Sequence, residues 1–341
     1  MMPEMRRNPI TKSWTIIATE RAKRPERPLI DNKLTDEKII EEITYEKKCF
    51  FCLGNEHTTP PEVFAYRDNH TLPNTPGWSL RVVPNKFAAL NLEQEFHVKQ
   101  ENSLKVSSHA AGVAEVVIES PHHSKNLALF QPTQVEDVLK AYKERFLSIS
   151  QKKTIKYILL FKNNGVEAGA SLAHPHSQII ATPVIPVNIS EELIGANDYF
   201  ESTGRCVYCD MMKMEIKDKS RIIYESENFV SFAPYASRTP FETWIMPKFH
   251  SSKFQDLDDM QIQDLAKIWK HTLYKIYVGL ENPPYNYFIH TSPTQKNTDK
   301  YYHWHMELIP KLTIAAGFEL GTGIYINIAI PEDCAEFLRE F

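Results

Sequence analysis

The chain has 341 residues, of which 42% are hydrophobic and 24% are charged, and its formal net charge is −4. This composition is typical of a globular protein, and the length is sufficient for two units of ordinary domain size. The net negative charge argues against nucleic acid as the main partner, and no apolar run approaches the ~20 residues that a membrane-spanning helix requires.

Clustered and alternating apolar residues predict an α+β chain in which short strands surround two long helices. The first helix is predicted at residues 135–149 with Thr133 as its N-cap, and the second at residues 258–278. Residues 29–48 are charged and are expected to be peripheral. Strands are predicted at residues 14–18, 80–83, 114–120, 156–161, 177–182, 229–232, 242–246, 286–290 and 304–309.

The same chemical markers occur twice in one order, which predicts two copies of one unit. Matching markers lie 127 to 157 positions apart. In the first half they are Cys49, Cys52, His123, His174 and His176, followed by Gln178. In the second half they are Cys206, Cys209, His250, His303 and His305, followed by Glu307. We therefore predict two tandem units, residues 1–190 and 191–341.

Four of the five cysteines form two Cys-x-x-Cys pairs, each followed by separated histidines. Thiolate and imidazole groups in this order are typical ligands of a tetrahedral Zn²⁺ ion. The predicted ligands are Cys49, Cys52, His123 and His174 for one ion, and Cys206, Cys209, His250 and His303 for the other. His122 competes with His123, but the match of His123-Ser-Lys to His250-Ser-Ser-Lys favours His123. The alternative is a redox or structural thiol pair, although a redox Cys-x-x-Cys usually occurs alone.

The segment His174-Pro-His176-Ser-Gln178 leads into a predicted strand, in which alternate residues share one face. His174, His176 and Gln178 are therefore expected to point the same way. Upstream, residues 161–171 form a loop of small residues that can bring backbone N–H groups and the Ser171 hydroxyl to a phosphate. A neutral imidazole beside such a loop can attack phosphorus and form a covalent intermediate. The alternative is that His176 is another ligand or a packed core histidine.

These residues resemble the galactose-1-phosphate uridylyltransferase family of the histidine-triad superfamily over nearly the whole chain. The strongest match is the stretch from Gly169 to Gln178, and Ser120-Pro-His-His-Ser-Lys also matches. The resemblance implies an α+β fold of two tandem histidine-triad-like units, each an antiparallel sheet with packed helices, related by a pseudo-twofold duplication. It also implies that His176 attacks the α-phosphorus of UDP-glucose, releases glucose 1-phosphate and passes the uridylyl group to galactose 1-phosphate.

The resemblance assigns further residues to the substrate. Gln178, Ser171 and Asn163 are expected at the phosphates, and the nucleotide is expected at Arg21, Arg24 and Asn85. The family presents a Tyr-Glu pair to the hexose, and Thr322 and Gly323 stand in place of that pair here. Contacts with the sugar are therefore expected from Phe318, Gly321 and Thr322.

The replacement of the Tyr-Glu pair and the second thiolate set resemble the ADP-glucose phosphorylase branch of the same family. That branch passes an adenylyl group from histidine to inorganic phosphate. A further metal set, seen in some uridylyltransferases, is matched by Glu192, His290, His303 and His305, but the Cys206/Cys209 pair favours the thiolate set.

The leading hypothesis is a UDP-glucose–hexose-1-phosphate uridylyltransferase of galactose metabolism, and the alternative is an ADP-glucose phosphorylase. A third hypothesis, a zinc-stapled nucleotide-binding module without turnover, is disfavoured by the intact His176 and Gln178. We expect two zinc sites, with iron as the alternative ion at the second. A nucleotide sugar and a sugar 1-phosphate are the expected partners of a homodimer. Because no secretory signal is visible at the N-terminus, a reducing cytoplasm is the expected location.

Overall fold

The computed structural model describes residues 2–23, 43–91 and 94–341, and every statement below concerns these residues. The strands are β1 (Glu4–Arg7), β2 (Trp14–Ile17), β3 (Phe64–Arg67), β4 (Trp78–Pro84), β5 (Lys99–Gln100), β6 (Val106–Ser107), β7 (Val113–Ile118), β8 (Tyr157–Asn164), β9 (His176–Thr182), β10 (Ile222–Glu225), β11 (Phe229–Phe232), β12 (Thr243–Pro247), β13 (Tyr285–His290), β14 (His305–Pro310) and β15 (Tyr325–Asn327). The helices are α1 (Pro132–Ser150), α2 (Val187–Thr203), α3 (Val207–Asp218), α4 (Asp259–Gly279), α5 (Gly317–Thr322) and α6 (Pro331–Arg339).

Within the described residues, ten strands form one antiparallel sheet in the order β10-β11-β12-β14-β13-β8-β9-β7-β4-β3. The first five come from the second half of the chain and the last five from the first half. The two halves meet where β8 pairs with β13, with Asn163 opposite Asn286 and Lys162 opposite Tyr287. Reading outward from this seam, the strands follow the same order in both halves. The predicted α+β fold and its duplication are confirmed, and the two sheets are continuous.

Helices α1 and α4 occupy equivalent places in the two halves and pack against each other. In α1, Val135, Val138, Leu139, Tyr142 and Phe146 recur at helical spacing and are buried against the sheet. The predicted N-cap Thr133 is wrong, because Gln131 precedes the helix and Pro132 fills its first turn. The backbone N–H of Gln131 donates to the side chain of Gln134 at 3.1 Å. This capping contact satisfies the N–H of Gln131.

A second layer covers the opposite side of the second half. Helices α2 and α3 bury a separate apolar cluster that includes Leu193, Tyr208, Met212 and Trp244. The small sheet β1-β2-β15 joins the two ends of the chain, and the Arg6 guanidinium pairs with Glu332 of α6 at 2.9 Å.

Every predicted strand and both predicted helices are present, with ends shifted by at most a few residues. Helix α2 was not predicted, and its first turn contains residue 190, so the predicted boundary lies inside a helix rather than in a linker. The division into units at that residue stays a prediction. Most of the predicted peripheral segment, residues 29–42, lies outside the described residues. None of the described helices is both long enough and apolar enough to cross a bilayer.

Candidate functional site

The first predicted ligand set is brought together by the fold. Cys49 and Cys52 lie on a tight turn before β3, His123 follows β7, and His174 precedes β9. Their ligand atoms all lie within 4.8 Å of one another. The structure places His123 in this group, while its neighbour His122 is exposed and outside it.

The spacing of these atoms fits a tetrahedral ion. The Nδ1 atom of His174 lies 3.6 Å from the Cys49 sulfur and 3.7 Å from the Cys52 sulfur, and His123 Nδ1 lies 3.4 Å from the Cys52 sulfur. Zinc bonds of about 2.3 Å to sulfur and about 2.0–2.1 Å to nitrogen give tetrahedral S–N edges of about 3.6 Å. The residues present therefore fit zinc without rearrangement.

The orientation of His174 is fixed by the backbone. Its Nε2 lies 2.8 Å from the carbonyl oxygen of Ser120. Because a carbonyl only accepts, Nε2 carries the proton and the lone pair of Nδ1 faces the two sulfurs. Burial lowers the pKa of His174 to about 4, so the ring is neutral at neutral pH and can serve as a ligand.

The second predicted ligand set repeats this geometry. His250 Nδ1 and His303 Nδ1 lie 3.3 Å and 3.6 Å from the Cys209 sulfur, and Cys206 completes the group. The Nε2 atoms of the two rings donate to the carbonyl oxygens of Asp299 at 2.7 Å and Pro247 at 3.0 Å. The donor set is again two thiols and two imidazoles, which fits a second tetrahedral ion.

The alternative metal set named from the sequence is not brought together as predicted. His303 faces Cys209, and the group around Glu192, His290 and His305 is completed by Glu307 instead. Strand β14 begins at His305, so its alternation places His305 and Glu307 on one face. His303 lies before the strand, and its ring faces Cys209 of α3 instead.

The carboxylate group is already charge-paired. His290 Nδ1 lies 2.8 Å from Glu192, and Glu307 forms an ion pair with Arg238. Arg238 also binds Glu242 at 3.0 Å. Although burial opposes ionisation of Glu307, the Arg238 charge holds the pKa of that carboxyl well below its usual range. These pairs neutralise much of the charge without a metal ion.

His176 has the arrangement of a nucleophile. Its Nδ1 lies 2.8 Å from the carbonyl oxygen of His174, so Nδ1 carries the proton and Nε2 keeps a free lone pair. Burial lowers the pKa of His176, which keeps the ring neutral at neutral pH. The ring is edge-on to Phe51, with 5.4 Å between centroids. A neutral imidazole fixed in this way can attack an electrophilic phosphorus.

The loop before His174 adopts a backbone that requires glycine at two points. Gly165 has φ +86, and a Cβ there would lie 2.9 Å from Pro284. Gly169 is left-handed, with φ +89. Side chains other than glycine rarely adopt these angles, so the sequence fixes the loop path locally.

The second half of the chain anchors this loop. The Asn286 side-chain amide on β13 donates to the Asn163 side chain and to the Ala168 carbonyl oxygen, both at 2.8 Å. The amide of Asn163 in turn reaches the Gly169 carbonyl at 3.5 Å. Ser171 remains exposed at the end of the loop. Sequence reasoning missed Asn286, because a lone asparagine in a strand carries no motif.

A cavity of about 500 Å³ opens beside the loop. Its lining includes the predicted site residues Asn163, Ser171, His174 and His176, together with Tyr277 and Asn282 from the second half. The cavity therefore collects residues from both units. The other residues that line it are Ser124, Asn126, Leu129, Asn164, Gly165, Val166, Ala170, Leu172, Ala173 and Pro175.

Other predicted substrate residues do not line this cavity in the described part of the chain. Gln178 lies on β9, and the half-buried Asn85 follows β4. Arg21 is exposed in the short 3₁₀ turn after β2, and Arg24 lies outside the described residues. The remaining residues are exposed on α5, next to the sheet that contains β2: Phe318, Gly321 and Thr322.

Comparison with known proteins gives a consistent result over both halves. Residues 1–186 match "Galactose-1-phosphate uridyl transferase, N-terminal domain", and residues 192–326 match the C-terminal domain of the same family. An ADP-glucose phosphorylase from Arabidopsis thaliana is 43% identical, with 99% of this chain and 93% of that protein covered. A galactose-1-phosphate uridylyltransferase from Haemophilus influenzae is 30% identical, with 92% and 85% covered.

A solved structure shares the fold throughout. The crystal structure of an ADP-glucose phosphorylase from Arabidopsis thaliana with bound ADP-glucose superposes with a TM-score of 0.83 at 41% identity, covering 99% of both chains.

Replacing Asn286 by alanine should loosen the loop, because two part-buried acceptors lose their donor at a cost of about 1–3 kcal/mol. We expect kcat/KM to fall by roughly tenfold or more, with bound metal unchanged. Asn228→Ala is the matched control, since its side-chain amide donates to Asp264 and to no other described residue, away from the loop. Steady-state kinetics and metal analysis check this, and equal effects of the two substitutions would contradict the anchoring role.

Elemental analysis of the purified protein tests the metal groups. Two thiolate–imidazole groups should bind about two ions per chain. Cys206→Ser should remove one ion and lower the melting temperature, and Cys49→Ser should remove the other. Three ions in the wild type would show that the carboxylate group also binds metal, and a Cys206–Cys209 disulfide in protein isolated under reducing conditions would refute the second site.

Proposed function

The chain belongs to the galactose-1-phosphate uridyl transferase family, and from this premise we propose that it transfers a nucleotidyl group through a covalent bond to His176. The observation that supports this most is the state of the His176 ring. Its Nδ1–H donates to the His174 carbonyl, which leaves the lone pair of Nε2 free. His176 also lines the cavity.

The first half-reaction follows from that geometry. The Nε2 lone pair attacks the α-phosphorus of a nucleotide sugar, and the bond from this phosphorus to the bridging oxygen breaks. Glucose 1-phosphate leaves with the bonding electrons, and the nucleotidyl group stays on His176. Nδ1–H keeps its hydrogen bond to the His174 carbonyl, so the positive charge that develops on the ring is stabilised in place.

The second half-reaction reverses the first with a different acceptor. A phosphate oxygen attacks the same phosphorus, the N–P bond breaks, and its electron pair returns to Nε2. With inorganic phosphate and an adenylyl group the product is ADP; with galactose 1-phosphate and a uridylyl group it is UDP-galactose. Neither half-reaction needs an oxidant or an additional proton carrier on His176.

We prefer ADP-glucose as donor and inorganic phosphate as acceptor. Uridylyl transfer is the leading hypothesis from the sequence, but the 43% identical relative is an ADP-glucose phosphorylase, and the 41% identical crystal structure of such an enzyme contains ADP-glucose. The exposed Thr322 and Gly323 also lack the phenol and carboxylate that could hold hexose hydroxyls. Uridylyl transfer to galactose 1-phosphate is the second candidate, supported by the family description and the Haemophilus influenzae relative.

The other site residues take supporting roles in this proposal. Ser171 would hold phosphate oxygens from the loop, and Asn163 and Gln178 would do so from the ends of β8 and β9. Asn85, Arg21 and Arg24 would contact the nucleotide, and Phe318, Gly321 and Thr322 the sugar or the acceptor.

Zinc, at Cys49, Cys52, His123 and His174, would stiffen the chain at the start of β9 and so hold the His174 carbonyl toward His176. At Cys206, Cys209, His250 and His303, zinc, or iron as the alternative, would stabilise the second unit.

The two matching histidines provide a direct test of the nucleophile. His176→Gly should fold, keep its metal and lose turnover, because the attacking nitrogen is gone. His305→Gly should retain much of the activity, because His305 is buried, with its Nε2 3.5 Å from Glu307. Turnover assays with melting curves and metal analysis compare the two. If His305 proved essential and His176 dispensable, the nucleophile would belong to the second unit and the proposal would be wrong.

Labelling with each nucleotide sugar tests the donor and the acceptor. ADP-glucose labelled in the α-phosphate should label the protein, and UDP-glucose should do so less. A phosphoramidate is acid-labile, so the label should survive base and be lost in acid. Inorganic phosphate should then release labelled ADP. Exclusive release by galactose 1-phosphate after loading from UDP-glucose would instead establish the second candidate, and initial rates without a ping-pong pattern would exclude the covalent route.

A further inference from the structure

A closed polar cluster lies under the strand that carries His176, on the side facing α1. Its members are Glu119, Tyr142, Lys162, Ser177 and Tyr287, here called the Tyr142 cluster. All five are buried, and the side chains of Lys162 and Glu119 are 1% and 0% exposed. No residue of this cluster belongs to the site described above.

Tyr142 connects the cluster. Its hydroxyl lies 2.7 Å from both the Ser177 hydroxyl and the Tyr287 hydroxyl, and 3.1 Å from Glu119. A carboxylate only accepts, so the contacts with Glu119 are donated by the tyrosine hydroxyls, whereas either oxygen can donate in the contacts of Tyr142 with Ser177 and Tyr287. Lys162 forms an ion pair with the same carboxylate, and the Tyr287 hydroxyl reaches it at 3.3 Å.

The cluster contacts β9 between two proposed functional residues. Ser177 lies between His176 and Gln178, and alternation sends its side chain to the opposite face of the sheet. Glu119 follows Ile118, which pairs with His176, and precedes Ser120, whose carbonyl orients His174. Displacing this cluster would therefore shift both residues that flank Ser177.

The five members come from four neighbouring strands and one helix. Glu119 directly follows β7, Ser177 is on β9, Lys162 is on β8 and Tyr287 is on β13, with Tyr142 reaching them from α1. Burying an ion pair carries a large desolvation cost for each ion, which the pair recovers only if its geometry and hydrogen bonds are good. A buried ion pair with satisfied hydroxyls is thus a weak source of stability but a strong constraint on position.

We propose that the Tyr142 cluster is a positioning device for the reaction, which holds β9 through Ser177 so that His176 and Gln178 keep their alignment. The proposal rests on the proposed function of His176. Tyr142 and Ser177 are positioning residues, since they act through the strand and touch no substrate. Because Tyr287 belongs to the second unit, that unit supports the nucleophile of the first.

Packing alone does not explain the cluster. Tyr285, two residues from Tyr287 on the same strand, is 3% exposed, and its hydroxyl has no hydrogen-bond partner among the described residues. Tyr208 likewise has a buried hydroxyl without a partner in this part of the chain. The fold therefore tolerates unpaired tyrosine hydroxyls elsewhere, while the hydroxyls beneath His176 are all paired.

Single-turnover labelling of Ser177→Ala, Tyr142→Phe and the double variant tests the proposal. Each single substitution should slow nucleotidyl-histidine formation by about ten- to a hundredfold, because small misplacements of a reacting group have effects of this size. KM and bound metal should change little. The double variant should be no slower than the slower single variant, since both substitutions remove the same hydrogen bond. Tyr285→Phe is the matched control and should react at the wild-type rate.

The outcomes separate the positioning role from the proposed function. Failure of the wild-type protein to become labelled would contradict the function itself. A labelled wild type with variants that react within twofold of it, even if they melt at lower temperature, would show that the cluster is only structural. Loss of metal together with rate would assign the cluster to the metal site, and additive effects in the double variant would show that the two hydroxyls act independently; either result overturns the proposal.

Discussion

The candidate site depends on one residue that is held at three points. His174 directs Nδ1 at two cysteine sulfurs, donates from Nε2 to the Ser120 carbonyl at 2.8 Å, and accepts the Nδ1–H of His176 on its own carbonyl at 2.8 Å. The first two contacts fix the ring and the third fixes the tautomer of its neighbour. A change at the sulfurs would therefore reach the His176 ring through a single residue, and no flexible side chain lies on that route.

The second half repeats this arrangement, but there the second histidine of the pair is enclosed. His303 donates to the Pro247 carbonyl and faces Cys209, and His305 is 3.2 Å from the His303 carbonyl, as in the first half. However, His305 is 0% exposed and faces Glu307, whereas His176 lines a cavity. The same local backbone thus supports the proposed nucleophile in one unit and a closed ionic cluster in the other. What differs is the covering: α2 brings Glu192 over the second strand, and a glycine loop leaves the first open.

Sequence patterns predicted the features whose chemistry is local. The ligand sets were predicted because cysteine and histidine at matched spacing have few roles other than metal binding. The strands and long helices were predicted because their apolar periodicity is regular. Asn286 and Tyr142 could not be predicted, because their roles depend on which elements become neighbours. Asn286 contacts a side chain 123 positions away in sequence, and no short motif records that pairing. The grouping of Glu307 with Glu192, His290 and His305 was missed for the same reason, whereas the preferred thiolate set with His303 was predicted.

The seam between β8 and β13 explains why neither unit is complete without the other. Antiparallel pairing across this seam places Asn163 opposite Asn286 and Lys162 opposite Tyr287. One pair holds the loop above the strand that carries His176, and the other joins the polar cluster beneath it. The proposed nucleophile, His176, therefore lies between two contacts that the second unit supplies. Since side chains on opposite faces of a sheet are set by a single register, a one-residue slip at this seam would misplace both contacts together. A constraint on the register of β13 is thus a constraint on the candidate site, even though the proposed nucleophile lies in the first unit.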